Sequence, residues 1–93
     1  HIVSRTHSKT ELHIAPNPVI GNAEITVCIT EKANLEMSVY DLNGKKLEVI
    51  YSDNMSAGTH TFIRSFEGYK AGAYYIRIKT GIHVHTRRFV IAR

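Results

Sequence analysis

Apolar and polar residues alternate along most of this chain, and that alternation limits it to β structure before anything else is considered. Side chains on a strand point to opposite faces with a period of two, so an alternating stretch offers one face to a core and one to solvent. Ile25, Val27 and Ile29 alternate with Glu24, Thr26, Cys28 and Thr30. Leu35, Met37 and Val39 alternate with Glu36, Ser38 and Tyr40, and Tyr74, Ile76 and Ile78 alternate with Tyr75, Arg77 and Lys79. The last two apolar sets are predicted to face the core. Leu47, Val49 and Tyr51 read as a further apolar face, with Ile50 breaking the polarity of the other. A strand with His60 and Phe62 opposite Thr59, Thr61 and Ile63 leaves its inward face open. Val84 to Ile91 forms a closing strand that ends apolar on both faces, which implies partial enclosure. No segment carries the i, i+3, i+4, i+7 stripe of a packed helix.

The punctuation between these runs fits the same reading. Pro16-Asn17-Pro18, Gly21-Asn22, Asn43-Gly44, Ala57-Gly58, Gly68, Ala71-Gly72 and Gly81 recur at intervals near the roughly 8–12 residues of an all-β domain. The expected fold is an immunoglobulin-like antiparallel β-sandwich of about seven strands. Asp41-Leu42-Asn43-Gly44 predicts a hairpin, because an Asp at the start of a turn accepts backbone N–H bonds and Asn-Gly tolerates left-handed conformations.

Length and composition bound the rest. A chain of 93 residues has room for one domain, and 43% hydrophobic with 22% charged residues is an ordinary globular balance. No apolar run approaches the roughly 18–20 residues that cross a bilayer as a helix. The chain opens on His1 rather than Met, so it is expected to be a piece of a larger protein. Residues 1–10, without either period, read as the end of a linker, and residues 11–93 as the folded domain. Twelve Lys and Arg against eight Asp and Glu give a charge of +4, read as basic residues spread over solvated strand faces. The single cysteine, Cys28, forms no internal disulfide and reads as a structural thiol.

Little in the sequence points to chemistry. His83 and His85 share a strand face by parity, but a third ligand would have to come from His60 or a neighbouring acid, and the spacing matches no zinc signature. Glycine-rich phosphate loops, G-x-S-x-G, H-E-x-x-H and paired cysteines are all missing. The expectation is therefore no catalytic residue, no metal and no cofactor. Nucleic-acid binding is set aside because the sequence lacks the interleaved aromatic and basic face that such modules use for base stacking.

The ordered series of motifs resembles a known family. Leu12-His13-Ile14-Ala15-Pro16-Asn17-Pro18 looks like a short opening strand closed by Pro-Asn-Pro, and Val39-Tyr40-Asp41-Leu42-Asn43-Gly44-Lys45 like a central tyrosine-aspartate hairpin. Ala57-Gly58-Thr59-His60, Ala71-Gly72-Ala73-Tyr74-Tyr75-Ile76-Arg77-Ile78 and Thr86-Arg87-Arg88-Phe89-Val90-Ile91 follow in the same order. The series is similar to the C-terminal sorting domains of proteins exported by the type IX secretion system of Bacteroidetes-type Gram-negative bacteria. Phe66 and Tyr69 stand where many relatives carry a shorter turn.

The resemblance implies a tag carried at the end of a cargo protein, recognised in the periplasm and passed across the outer membrane. A surface sortase then typically removes it and joins the cargo to anionic lipopolysaccharide. On this reading the tag is a substrate rather than an enzyme, and its partners are the secretion machinery, the sortase and its own N-terminal cargo. Recognition is assigned to the last strand, Thr86, Arg87, Arg88, Phe89, Val90, Ile91, Ala92 and Arg93, as an open edge for β-augmentation. Pro16, Asn17, Pro18, Tyr40, Asp41, Asn43, Gly44, Gly58, Gly72 and Tyr74 are expected to serve the fold. The alternative reading is an immunoglobulin-like interaction or glycan-binding module of a surface protein.

Overall fold

The computed structural model describes residues 10–93, so most of the expected linker, residues 1–9, lies outside the described residues. Seven strands follow in order: β1 (Thr10–Ile20), β2 (Asn22–Ile29), β3 (Ala33–Tyr40), β4 (Lys46–Met55), β5 (Gly58–Ser65), β6 (Gly72–Thr80) and β7 (His83–Ile91). They make two antiparallel layers. One runs β4-β3-β6-β7 and the other β1-β2-β5, joined where β1 meets the end of β7. The described residues contain no helix, and the architecture is the β-sandwich that the alternation predicts.

The core forms where the alternating faces of the two layers meet. Leu35, Met37, Val39, Ile76 and Ile78 have no exposed surface, and Tyr74 packs half-buried against them. Ile25, Val27 and Ile29 of β2 lie opposite, with Leu12 and Val19 of β1, and Phe89 of β7 joins the first set. Phe66, from the β5–β6 connection, closes one end of the core. Its ring lies 5.3 Å from Phe89 and 5.2 Å from Tyr69, and Tyr74 lies 5.4 Å from Tyr69. The longer connection is thus a plug, each edge or tilted ring contact adding roughly 0.5–1.5 kcal/mol beyond area burial.

Two local readings of the sequence are corrected. In β4, Met37 faces Tyr51 while Ser38 faces Val49, so Ile50 is an extra residue in a bulge, and Val39 faces Glu48 while Tyr40 faces Lys46, so Leu47 is a second. The first bulge reverses the parity and the second returns Lys46 to the outer face. Leu47 and Val49 turn outward, 38% and 46% exposed, and Glu48 takes the inward position opposite Val39. Pro16-Asn17-Pro18 does not close a strand; it lies inside β1, where pairing with β2 stops at Ala15 and resumes at Ile20. Proline has no N–H to offer a ladder, so the gap in pairing falls where the prolines are.

The Asp41 hairpin is built as read. Asp41 Oδ1 accepts from the backbone N–H groups of Asn43 and Lys45, both at 2.9 Å. Gly44 holds φ at +87° with no neighbour within 4 Å of a Cβ placed there, so its backbone conformation is the reason for glycine.

Burial separates two substitutions that look alike in sequence. Leu35→Ala should lower the unfolding free energy by about 2–5 kcal/mol in denaturant titration, and Ile63→Ala, on a residue 67% exposed, by no more than about 0.5. Similar losses for both would contradict the assigned faces.

Candidate functional site

The two lateral sides of the sandwich are finished differently. On one side, β4 and β5 are held together by side chains. The Arg64 guanidinium and the Tyr69 hydroxyl both donate to the Glu48 carboxylate, and the Tyr51 and Phe62 rings meet edge-on at 5.5 Å. Burial raises the Glu48 pKa, but the two hydrogen bonds and the Arg64 charge outweigh it and hold the carboxyl below its ordinary 4.5. Burial, then the bond to Glu48, pushes the Tyr69 hydroxyl well above its usual value.

On the other side the sandwich is open. β7 pairs with β6 along its whole length, from His83 opposite Thr80 to Ile91 opposite Gly72. Its second edge meets β1 only at the far end. There Val19 pairs with Ile91 in parallel, Ala92 N–H donates to Val19 O at 2.9 Å, and Val90 N–H donates to Asn17 Oδ1 at 3.0 Å. Successive backbone groups alternate sides, so Val84, Thr86 and Arg88 turn their N–H groups the same way as Val90, toward the open side. β1 from Thr10 to Ala15 likewise pairs only with β2.

A cleft of about 430 Å³ separates these two edges, between Glu11–His13 on β1 and Val84–Arg87 on β7. A second space of about 440 Å³ continues it past Asn17 and Arg88. Arg87 Nη2 approaches His13 Nδ1 at 3.4 Å, and His13 Nε2 lies 3.7 Å from Glu11 Oε1.

The last strand therefore divides in two. Thr86, Arg87 and Arg88 are exposed beside the cleft. Phe89 and Ile91 are core residues at 0% and 2% exposure, and Val90 and Ala92 are half-buried. Arg93 is engaged with the protein itself, donating from Nε to Tyr69 O at 2.7 Å and from Nη2 to Phe66 O at 3.2 Å. Of the residues expected to serve the fold, Asn17 caps the Val90 amide and Tyr74 donates from its hydroxyl to Lys70 O at 2.7 Å. Gly58 and Gly72 begin β5 and β6, and Pro16 and Pro18 are exposed.

The outer faces of the two layers differ in charge. Register puts Tyr40, Tyr75 and Arg88 in one row across β3, β6 and β7, followed by Ser38, Arg77 and Thr86, then Glu36, Lys79 and Val84. Lys46 joins this outer face, with Nζ 2.6 Å from Glu36 Oε2 and 5.9 Å from the Tyr40 ring centre. The bond from Lys46, then that from Ser38, lowers the Glu36 pKa. The outer face of β1-β2-β5 carries Glu11 and Glu24 and, among the described residues, no Lys or Arg. The aromatic and basic face not apparent along any one strand is thus assembled across strands.

The histidines do not converge. His60 is on β5, in the other layer from His83 and His85, and its Nε2 lies 2.8 Å from Ser56 O. Among the described residues no three His, Cys, Asp or Glu side chains come together as a metal site. Cys28 is a half-buried free thiol opposite Glu11 and Thr59.

The described residues form a β-sandwich with one strand edge largely unpaired. No curated protein matches the chain. Over residues 13–92 it matches the model of the secretion system C-terminal sorting domain. The chain belongs to that family and is a sorting signal of the type IX secretion system, which serves export across the outer membrane. Domains of this kind work with the type IX machinery and are generally non-catalytic.

The Glu48 cluster has a pH signature. A carboxyl whose folded pKa lies below its unfolded value adds stability above about pH 4.5, lost as pH falls through the folded pKa. Glu48→Gln should therefore flatten the fall in stability between about pH 6 and 3, followed by denaturant titration at each pH. Parallel curves for the two proteins would rule out a stabilising Glu48 carboxylate.

Proposed function

We propose that this domain is the non-catalytic, C-terminal signal of a larger exported protein, and that the export machinery reads its last strand, Thr86 to Arg93. Residues 11–93 are the sorting domain and residues 1–10 the end of a linker from an N-terminal cargo. The cargo travels through the periplasm. A surface sortase then removes the domain and joins the cargo to anionic lipopolysaccharide, so that cargo ends at the cell surface or is released. The domain folds without a metal or cofactor.

The observation that carries this reading is the open edge of β7, where exposed Thr86, Arg87 and Arg88 stand beside backbone groups left unpaired by β1. A partner strand laid on that edge gains main-chain hydrogen bonds, and the basic side chains select a complementary acidic surface. Phe89 and Ile91 anchor the same strand in the core, which holds the edge in place during docking.

Charge reversal separates recognition from folding. Arg87→Glu with Arg88→Glu changes exposed side chains and should shift stability by well under the roughly 2–5 kcal/mol of a core truncation. Fused to a reporter with a signal peptide, the double variant should melt like the wild type yet accumulate in the periplasm. Normal surface delivery would contradict recognition through these arginines.

A further inference from the structure

Apart from Arg88, the outer face of the four-stranded layer has chemistry that the export reading does not use. Four cations, Lys46, Arg77, Lys79 and Arg88, share it with two carboxylates, Glu36 and, at its turn, Asp41. Residues two apart on a strand are roughly 7 Å apart, within a Debye length of about 8 Å at physiological salt, so Arg77 and Lys79 act on a ligand together. The two layers pack about 10 Å apart and their outer side chains lie further still, so Glu11 and Glu24 on the opposite face do not cancel this field.

The face is also shaped. Tyr40 and Arg77 form a ridge, the guanidinium carbon 4.6 Å from the ring centre. Shallow depressions of about 160 and 190 Å³ flank it, one running to Asp41 and Tyr75, the other to Glu36 and Lys79. Each is smaller than the roughly 300 Å³ of a site that encloses a free small molecule. Two such depressions sharing a wall suit consecutive units of a polymer.

We infer that this face binds an anionic polysaccharide, with Arg77, Lys79 and Arg88 taking its acidic groups and the Tyr40–Arg77 ridge seating between successive sugar rings. The mixture of donors and acceptors selects sugar over other polyanions. Glu36 and Asp41 each use one oxygen on protein donors, Lys46 and Ser38 for Glu36 and two backbone amides for Asp41. Their remaining lone pairs accept from hydroxyl groups, which a phosphodiester chain of bases and an acidic peptide offer sparsely. Base stacking needs open rings, and Arg77 already covers one face of Tyr40.

The test is titration of the domain with polygalacturonate at about 0.15 M salt, beside neutral dextran, polyglutamate and oligothymidylate matched in charge. Polygalacturonate should bind, and Arg77→Glu with Lys79→Glu should weaken it about tenfold or more, as should the milder Arg77→Gln with Lys79→Gln to a smaller degree. Glu24→Gln, on the opposite face, should leave it unchanged, and all variants are compared at equal melting temperature. Three results would overturn the inference: no binding of polygalacturonate, equal affinity for polyglutamate or oligothymidylate, or undiminished binding by both arginine–lysine variants.

Discussion

The structure depends on β1 belonging to both layers. Its first half pairs with β2 and its end with β7, and the change falls at Pro16-Asn17-Pro18, where two residues cannot donate to a ladder. At that point Asn17 supplies the acceptor that the backbone lacks, by bonding the Val90 amide, and Val19 O takes the Ala92 amide. These contacts seat Phe89 and Ile91 in the core and bring Arg93 to the carbonyls of Phe66 and Tyr69. Without the crossing, the final strand would hang from β6 alone.

The crossing also creates the open side. Because β1 reaches β7 only at its end, the two strands diverge from there into a cleft. The opposite side has Glu48, Arg64 and Tyr69 to seal it. A sandwich sealed on one side and unzipped on the other presents an edge in a fixed position, which is what the proposed reading by β-augmentation requires. One strand thus contributes both core and edge. That dual role fits a domain of this size, whose single core has few strands to spare.

Much of this was legible from the sequence because the alternation is strong where burial is complete. Leu35, Met37, Val39, Ile76 and Ile78 are inward as their period requires, and Asp41 fixes its turn as its neighbours Asn43 and Gly44 suggest. The period fails at Glu48, because the bulge at Ile50 shifts parity and nothing in the residues around it marks where the extra residue sits. Asn17 reads as a turn residue, and its bond to Val90 spans far too much chain to be seen locally. The row Tyr40–Tyr75–Arg88 joins three strands and exists only once register is known. In the last strand, sequence marks the basic pair and the apolar run but not which residues point inward; pairing with Tyr74 and Ile76 decides that.

Proline substitution along β7 tests the dual role most directly, because it deletes single backbone donors without altering charge. Thr86 turns its N–H to the open side and Phe89 turns its own to β6, by alternation from Val90. Thr86→Pro should keep the wild-type melting temperature, since no ladder bond is lost, yet block an added strand and leave a reporter fusion in the periplasm. His85→Pro, whose N–H faces β6, should lower the melting temperature clearly. A Thr86→Pro domain that melts normally and still reaches the surface would contradict recognition at this edge.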